Sequence, residues 1–259
     1  MTATGTFTPQ PGAAPLLKQV LAQASMEARL MLRNGEQLLL AVVIPVIVLI
    51  GGTEAAKNGA LNLHLNEKPI DALTPGVLAL AVMSTAFTSL AIATGFERRY
   101  GVIKRLGASP LPRYGLLLGK VGALLLVEVL QVVVISVVAL ALGWDPATSG
   151  ALPGALTLIV GTAAFAGLGL LVAGTLRAEA TLAAANLIYL LLMAGGAVVL
   201  PAHAYGGAEH ALTWLPSGAL GEAMRAALIH GHLAGRDLAV LSVWAIIGAG
   251  LTARTFKWE

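Results

Sequence analysis

Apolar residues gather along this chain in six long stretches: Leu38–Gly51, Thr74–Phe96, Leu116–Leu142, Leu152–Leu176, Leu182–Leu200 and Leu238–Ala253. A membrane-crossing helix needs about 17–25 mainly apolar residues. The first and last stretches are short by that measure. The first extends back through Arg33–Gln37, whose long polar side chains can sit at the interface, and Pro45 inside it predicts a kink that a membrane helix tolerates. Ahead of it, residues 16–37 mix Leu17, Val20, Leu21, Met31 and Leu32 with Lys18, Arg29 and Arg33. That pattern predicts an amphipathic helix lying along a leaflet. Residues 1–15, rich in Pro, Gly, Thr and Ala, read as a disordered lead without the marks of a signal peptide.

The breaks between stretches set the expected topology. With residue 1 inside and six crossings, 12 of the 16 Lys and Arg fall inside. Lys57, Lys68, Arg225 and Arg236 alone fall outside. Basic loops stay cytoplasmic, so both termini are expected inside a plasma membrane. The segment 52–73 is then an outer loop carrying Glu54, Glu67 and Asp71, 143–151 a short outer loop, and 177–180 a tight inner turn. Residues 201–236 are too apolar for a free loop and too broken for a span. They read as an outer re-entrant segment of short helices, one starting after Leu215-Pro216 with Ser217 as its cap.

Composition removes several classes. The chain is 57% hydrophobic and 11% charged, against roughly 25% charged in a soluble domain. The expected fold is an all-α membrane protein: residues 38–259 as one six-span transmembrane domain, with no room for an aqueous domain. There is no cysteine, which excludes disulfides, thiolate zinc sites and thiol catalysis. The net charge of +3 is accounted for by the inner loops and does not call for nucleic acid.

The segment Glu97–Lys120 concentrates the chemistry. It is basic, broken by proline, and wedged between the second and third apolar stretches. Its Glu97, Arg98, Gly101, Lys104, Leu106, Ser109, Pro110 and Leu111 follow the order E-R-x-x-G-x-x-(K/R)-x-L-x-x-(S/T)-P-(L/I). In this the chain resembles the membrane (permease) subunits of type-2 ATP-binding cassette (ABC) exporters. Leu215-Pro216 with Arg225 downstream resembles a second landmark of that family. The resemblance covers nearly the whole chain and implies a half-transporter. Two permeases, identical or sibling, would pair in the lipid bilayer, driven by two cytoplasmic ABC ATPases that bind ATP and Mg. The loop 96–115 would carry a coupling helix that docks on the ATPase, with Glu97, Arg98, Arg99, Gly101, Lys104, Arg105 and Leu106 as contact residues. The implied substrate is amphiphilic: a lipid, glycolipid or hydrophobic drug.

The chain itself shows no ATP-binding motif. A phosphate-binding loop reads G-x-x-x-x-G-K-[ST], whereas Gly115 and Gly119 enclose three residues and Lys120 precedes Val121. No cofactor and no metal is expected in this chain. Glu128, Gln131 and Asn186 lie within apolar stretches and are candidates for a substrate path. Alternatively Glu128 makes a structural hydrogen bond, with Asn186 as a possible partner. Two other functions remain open on the residues. A gradient-driven secondary transporter would need inverted repeats and midplane ionisable groups, and Glu128 stands alone. A cofactor-assembly factor would use the outer histidines His64, His203, His210, His230 and His232, although no ligand spacing supports it. An intramembrane hydrolase would need paired groups that the spans do not hold; the nearest acid is Asp237 at an outer edge.

Overall fold

This computed structural model describes residues 14–59, 68–106 and 112–256, with residues 36–40 and 113 described at the backbone. Its regular structure among the described residues is helical throughout. α1 (Leu16–Arg33) leads directly into α2 (Gly35–Lys57). α3 (Pro69–Met83) continues through a π-helical turn, Ser84–Ser89, into α4 (Leu90–Arg99). After the short α5 (Val102–Leu106) come α6 (Arg113–Ala141), α7 (Ala151–Thr175) and α8 (Ala178–Gly195). A 3-10 turn (Ala202–Ala208), α9 (Glu209–Leu212), α10 (Pro216–Leu228) and α11 (Gly235–Thr255) complete the chain. Five helices are long and apolar enough to cross a membrane: Pro69–Arg99, Tyr114–Ala141, Ala151–Thr175, Ala178–Gly195 and Gly235–Thr255. The sixth expected crossing falls on α2, whose 23 residues reach about 34 Å at 1.5 Å per residue.

The run α3–α4 is the axis of the bundle. Every residue of α3 after Pro69 is buried, because α2, α6, α7 and α10 all pack against it. Small residues let the outer helices approach closely. A Cβ on Gly248 of α11 would lie 2.9 Å from the backbone of Gly167 in α7. The Thr252 hydroxyl donates to the Gly167 carbonyl at 3.1 Å across the same contact. Phe87 and Phe165 meet edge to face at 6.4 Å, joining the π-helical turn to α7.

At two breaks inside the bundle, side chains from a neighbouring helix complete the backbone's hydrogen bonds. Pro45 has no N–H, so the Ala41 carbonyl one turn back loses its helical partner. Gln131 of α6 donates its Nε2 to that carbonyl at 2.8 Å. Its Oε1 accepts the Thr85 hydroxyl of the π-helical turn at 2.9 Å. One fully buried amide thus serves a proline break in α2 and a widened turn between α3 and α4.

The second break is larger. The fifth apolar stretch was expected to stay helical to Leu200, but α8 ends at Gly195 and the backbone turns, with Ala197 at φ 54°. Residues of α10 hold this unwound strip. Ser217 Oγ donates to the Gly196 carbonyl at 2.8 Å. Arg225 Nη2 donates to the carbonyls of Val198 and Val199 at 3.1 and 2.9 Å. Glu222 accepts the Ala202 N–H at 2.8 Å and pairs with Arg225 at 3.2 Å. Ser217 is therefore not the N-cap expected from its place after Leu215-Pro216: α10 opens on Pro216 without a side-chain cap. The α10 helix is buried against α3, α7 and α11 along most of its length. Non-helical backbone persists at membrane depth only when protein satisfies it, and α10 supplies that.

Other boundaries shift for similar reasons. Pro69–Leu73, expected in an outer loop, is helix and is buried from Ile70 onward. Asp71 there accepts the Asp145 N–H at 2.9 Å, tying the α6–α7 loop to the top of α3. α1 ends at Arg33 rather than 37 and turns at Asn34. The last stretch, short by hydropathy, forms 21 helical residues. Removing the hydrogen-bond donors of α10 should loosen the α8–α10 connection. Arg225→Met is expected to cost about 1–3 kcal/mol for each carbonyl left unpaired. Ser217→Ala should cost less, since it orphans one. Melting temperatures in detergent read both, and equal losses from the two variants would contradict this assignment.

Candidate functional site

One end of the bundle gathers the chain's basic residues and an ion-pair node that the sequence did not reveal. Lys120, near the start of α6, is almost fully buried. Its Nζ lies 2.9 Å from Glu27 Oε1 of α1 and 2.7 and 2.6 Å from the two carboxylate oxygens of Glu97 on α4. Gln23, one turn before Glu27, donates to the same Glu27 oxygen at 2.8 Å. α1 reaches this position because α6 offers no side chain at Gly119, where a Cβ would lie 2.6 Å from Gln23 Cγ. The glycine–lysine pair that loosely matched a phosphate loop is thus a packing seat and a counter-ion. Glu27 carried one faint signal, the single acid of α1, one helical turn after Gln23.

The orientation of α1 follows from this node. It turns Gln23, Ala24, Glu27 and Ala28 toward α6. Leu17, Leu21 and Leu30 point outward and are more than half exposed. Lys18, Arg29 and Arg33 are on its remaining surface. A helix with leucines facing out, cations beside them and its acid turned into the bundle suits a bilayer edge.

The loop that follows Glu97 divides into held and presented residues. Arg98 Nη1 donates to the carbonyls of Ala173 and Leu176 at the end of α7, and its guanidinium lies 5.7 Å from the Phe256 ring. A cation there also meets the negative end of the helix dipole. Arg99 pairs with Glu179 in the first turn of α8, an exposed contact of small energetic weight. Gly101, at φ +68°, makes the left-handed turn that starts α5, a conformation costly for other residues. On α5, Ile103 is buried while Lys104 and Arg105 are exposed, and neither forms an ion pair among the described residues. Leu106 is half-buried. Ser109, Pro110 and Leu111 lie outside the described residues.

Of the three substrate-path candidates, two belong to the packing. Glu128 is fully buried. It accepts the Thr162 hydroxyl of α7 at 2.5 Å, so its partner is Thr162 and not Asn186. Gln131 is committed to Ala41 and Thr85. Asn186 alone reaches open space. It lines a recess of about 490 Å³ between α2, the π-helical turn and α8, together with Asn34, Ser84, Thr88, Ser89 and Tyr189. The π-helical turn is the residue set sequence reasoning missed. Its signal was the hydroxyl cluster Ser84, Thr85, Thr88, Ser89 inside an apolar run, since π-turns recur at functional sites. At the opposite end, the His230 and His232 rings stack at 5.9 Å. No group of three or more potential metal ligands occurs among the described residues. His64 lies outside them.

The node makes a stability prediction. Lys120→Met strands two carboxylates in a poorly solvated pocket, at an expected cost of about 3–5 kcal/mol. Adding Glu27→Gln and Glu97→Gln should restore most of the lost melting temperature, because the uncompensated charges go with it. A triple variant no more stable than Lys120→Met would contradict the node.

Comparison with known families agrees with this architecture. The family model described as ABC-2 type transporter matches residues 18–227, from the start of α1 to the end of α10. No curated protein matches the chain significantly. The match takes in the ion-pair node, the loop after Glu97, the recess and the helix that holds the unwound strip. The chain belongs to the ABC-2 type transporter family, as a membrane-embedded permease component.

Proposed function

We propose that this permease is one half of an ATP-driven exporter, pairing with a second permease and receiving force from cytoplasmic ABC ATPases through the loop after Glu97. ABC-2 permeases normally work with such an ATPase. The basic end is the cytoplasmic end in a plasma membrane, by the excess of Lys and Arg there. α2 is the sixth crossing. ATP and Mg belong to the partner. The cargo is an amphiphile, a lipid, glycolipid or hydrophobic drug.

One observation supports this reading above the others: the loop is clamped on both sides by a single lysine. Glu97 precedes the loop, Lys120 follows it, and Glu27 ties both to the surface helix α1. A partner pressing on α5 therefore moves α4, α6 and α1 together, with little slack. Arg98 and Arg99 extend the same linkage to the ends of α7 and α8. Lys104 and Arg105 are left facing outward, cations suited to an acidic groove on a partner.

Affinity purification in mild detergent, with mass spectrometry and an ATPase assay, tests this directly. An ABC ATPase is expected to co-purify. Lys104→Glu with Arg105→Glu should cut permease-dependent ATPase stimulation about tenfold or more, a loss of some 1.4 kcal/mol. Membrane insertion should be normal, since neither side chain supports the bundle. Undiminished stimulation would remove α5 as the docking element. A chain that purifies alone, or carries a haem absorption band, would remove the exporter reading.

Topology has its own test, helped by the absence of native cysteine. Tyr100→Cys, at an exposed site beside α5, should react with a membrane-impermeant maleimide only after the cells are opened. Lys57→Cys, at the far end of α2, should react in intact cells. The reverse pattern would invert the orientation.

A further inference from the structure

The recess beside Asn186 holds polar groups that the protein leaves without partners. The Thr88 hydroxyl oxygen is buried and makes no hydrogen bond. Neither the Ser89 hydroxyl nor the Asn186 amide finds a partner among the described residues. Ser84 and Tyr189 stand on the same wall. Asn186 lies eight residues into α8, roughly 12 Å from its start at 1.5 Å per residue. That depth is within the bilayer's hydrocarbon layer. Unmatched amides and hydroxyls there carry a free-energy cost that an occupant, water or, for the exposed Asn186, a neighbouring subunit relieves. Three other span hydroxyls, Thr94, Thr157 and Thr181, are also buried without a partner, but none of them lines the recess; Thr85, Thr162 and Thr252 are engaged with Gln131, Glu128 and Gly167.

The lining also specifies what fits. Among the described residues it contains no Lys, Arg, Asp, Glu or His. An ion brought to this depth would lose its hydration and meet no counter-charge among the described lining residues. An amide offers both donors and an acceptor, and each hydroxyl offers both roles, so the complementary group must donate and accept as well. Sugar hydroxyls do so; quaternary ammonium groups and sulfonates do not. The rest of the wall is apolar, with Ile44, Ile92 and Leu182 among its residues, and suits the adjoining hydrocarbon. At about 490 Å³ the recess lies in the range of small-ligand sites. Asn34, at the α1–α2 turn, carries the lining toward the basic end, where the heads of that leaflet's amphiphiles lie.

We infer that this recess binds the uncharged, hydroxyl-bearing head of an amphiphile, a glycoside rather than a cation or an anion. That the bound molecule is cargo rests on the exporter reading above; that it binds does not. Three probes with the same diazirine-bearing alkyl chain test the site: a glucoside, a trimethylammonium and a sulfonate. Each is photolysed with the purified protein in nanodiscs, and labelled peptides are mapped by mass spectrometry. The glucoside should label Ser84–Ala93 and Leu182–Tyr189 at least about tenfold more than either charged probe. Asn186→Leu should reduce that labelling without lowering the melting temperature. Asn186→Asp should shift preference toward the ammonium probe. Equal or stronger labelling by a charged probe overturns the inference, as does glucoside labelling that misses both peptides or ignores Asn186→Leu. Glucoside labelling without any co-purifying ATPase would sink the exporter reading and keep the site. A bound ATPase with an ammonium-labelled recess would do the reverse.

Discussion

A backbone carbonyl inside a membrane must find a donor within the protein, because lipid offers none. That constraint organises this fold. A regular helix meets it unaided, and the chain departs from regular helix in only a few described places at membrane depth. Three of these departures are matched to a particular side chain on another helix. Gln131 answers the carbonyl freed by Pro45, Arg225 and Ser217 answer the strip after Gly195, and Arg98 answers the open end of α7. The polar residues that look out of place in an apolar chain are largely these donors.

The same economy separates structural from functional polar groups. Glu128 and Gln131 attract notice as polar residues in an apolar span, yet both are engaged in bonds between helices. Thr88, Ser89 and Asn186 are less conspicuous and remain uncommitted. Commitment, more than polarity, marks which groups are available to a ligand. Ser84 and Thr88, four residues apart, share a face in any helix; the wider π-helical turn brings Ser89 onto the same wall. It is pinned by Thr85 to Gln131 and by Phe87 to Phe165, so the wall is held from behind.

At the basic end, electrostatics replaces backbone repair. A lysine between two carboxylates in a poorly solvated site is expensive to disrupt, and this one joins three elements. The surface helix α1 is thereby part of the moving unit and not merely an anchor on the leaflet. The glycine at 119 is as much a part of the node as the charges, because it sets how near α1 can come.

The sequence by itself determined where the apolar runs lie, which end is basic, that residues 201–236 break up, and which loop carries the family's E-R-x-x-G pattern. These are local properties: length, hydropathy and charge along the chain suffice to read them. It also placed Glu97, Arg98, Lys104 and Arg105 in one segment, and could not tell the held arginines from the presented cations. Only the tertiary structure decided the pairings. Lys120 and Glu27 are 93 residues apart, Gln131 and Ala41 are 90, and Arg98 and Leu176 are 78. No spacing rule links such positions; helix packing brings them within hydrogen-bond reach. The early end of α8 has the same origin, since Gly196–Leu200 is apolar enough to continue the helix and leaves it because α10 supplies the bonds that the helix would have made.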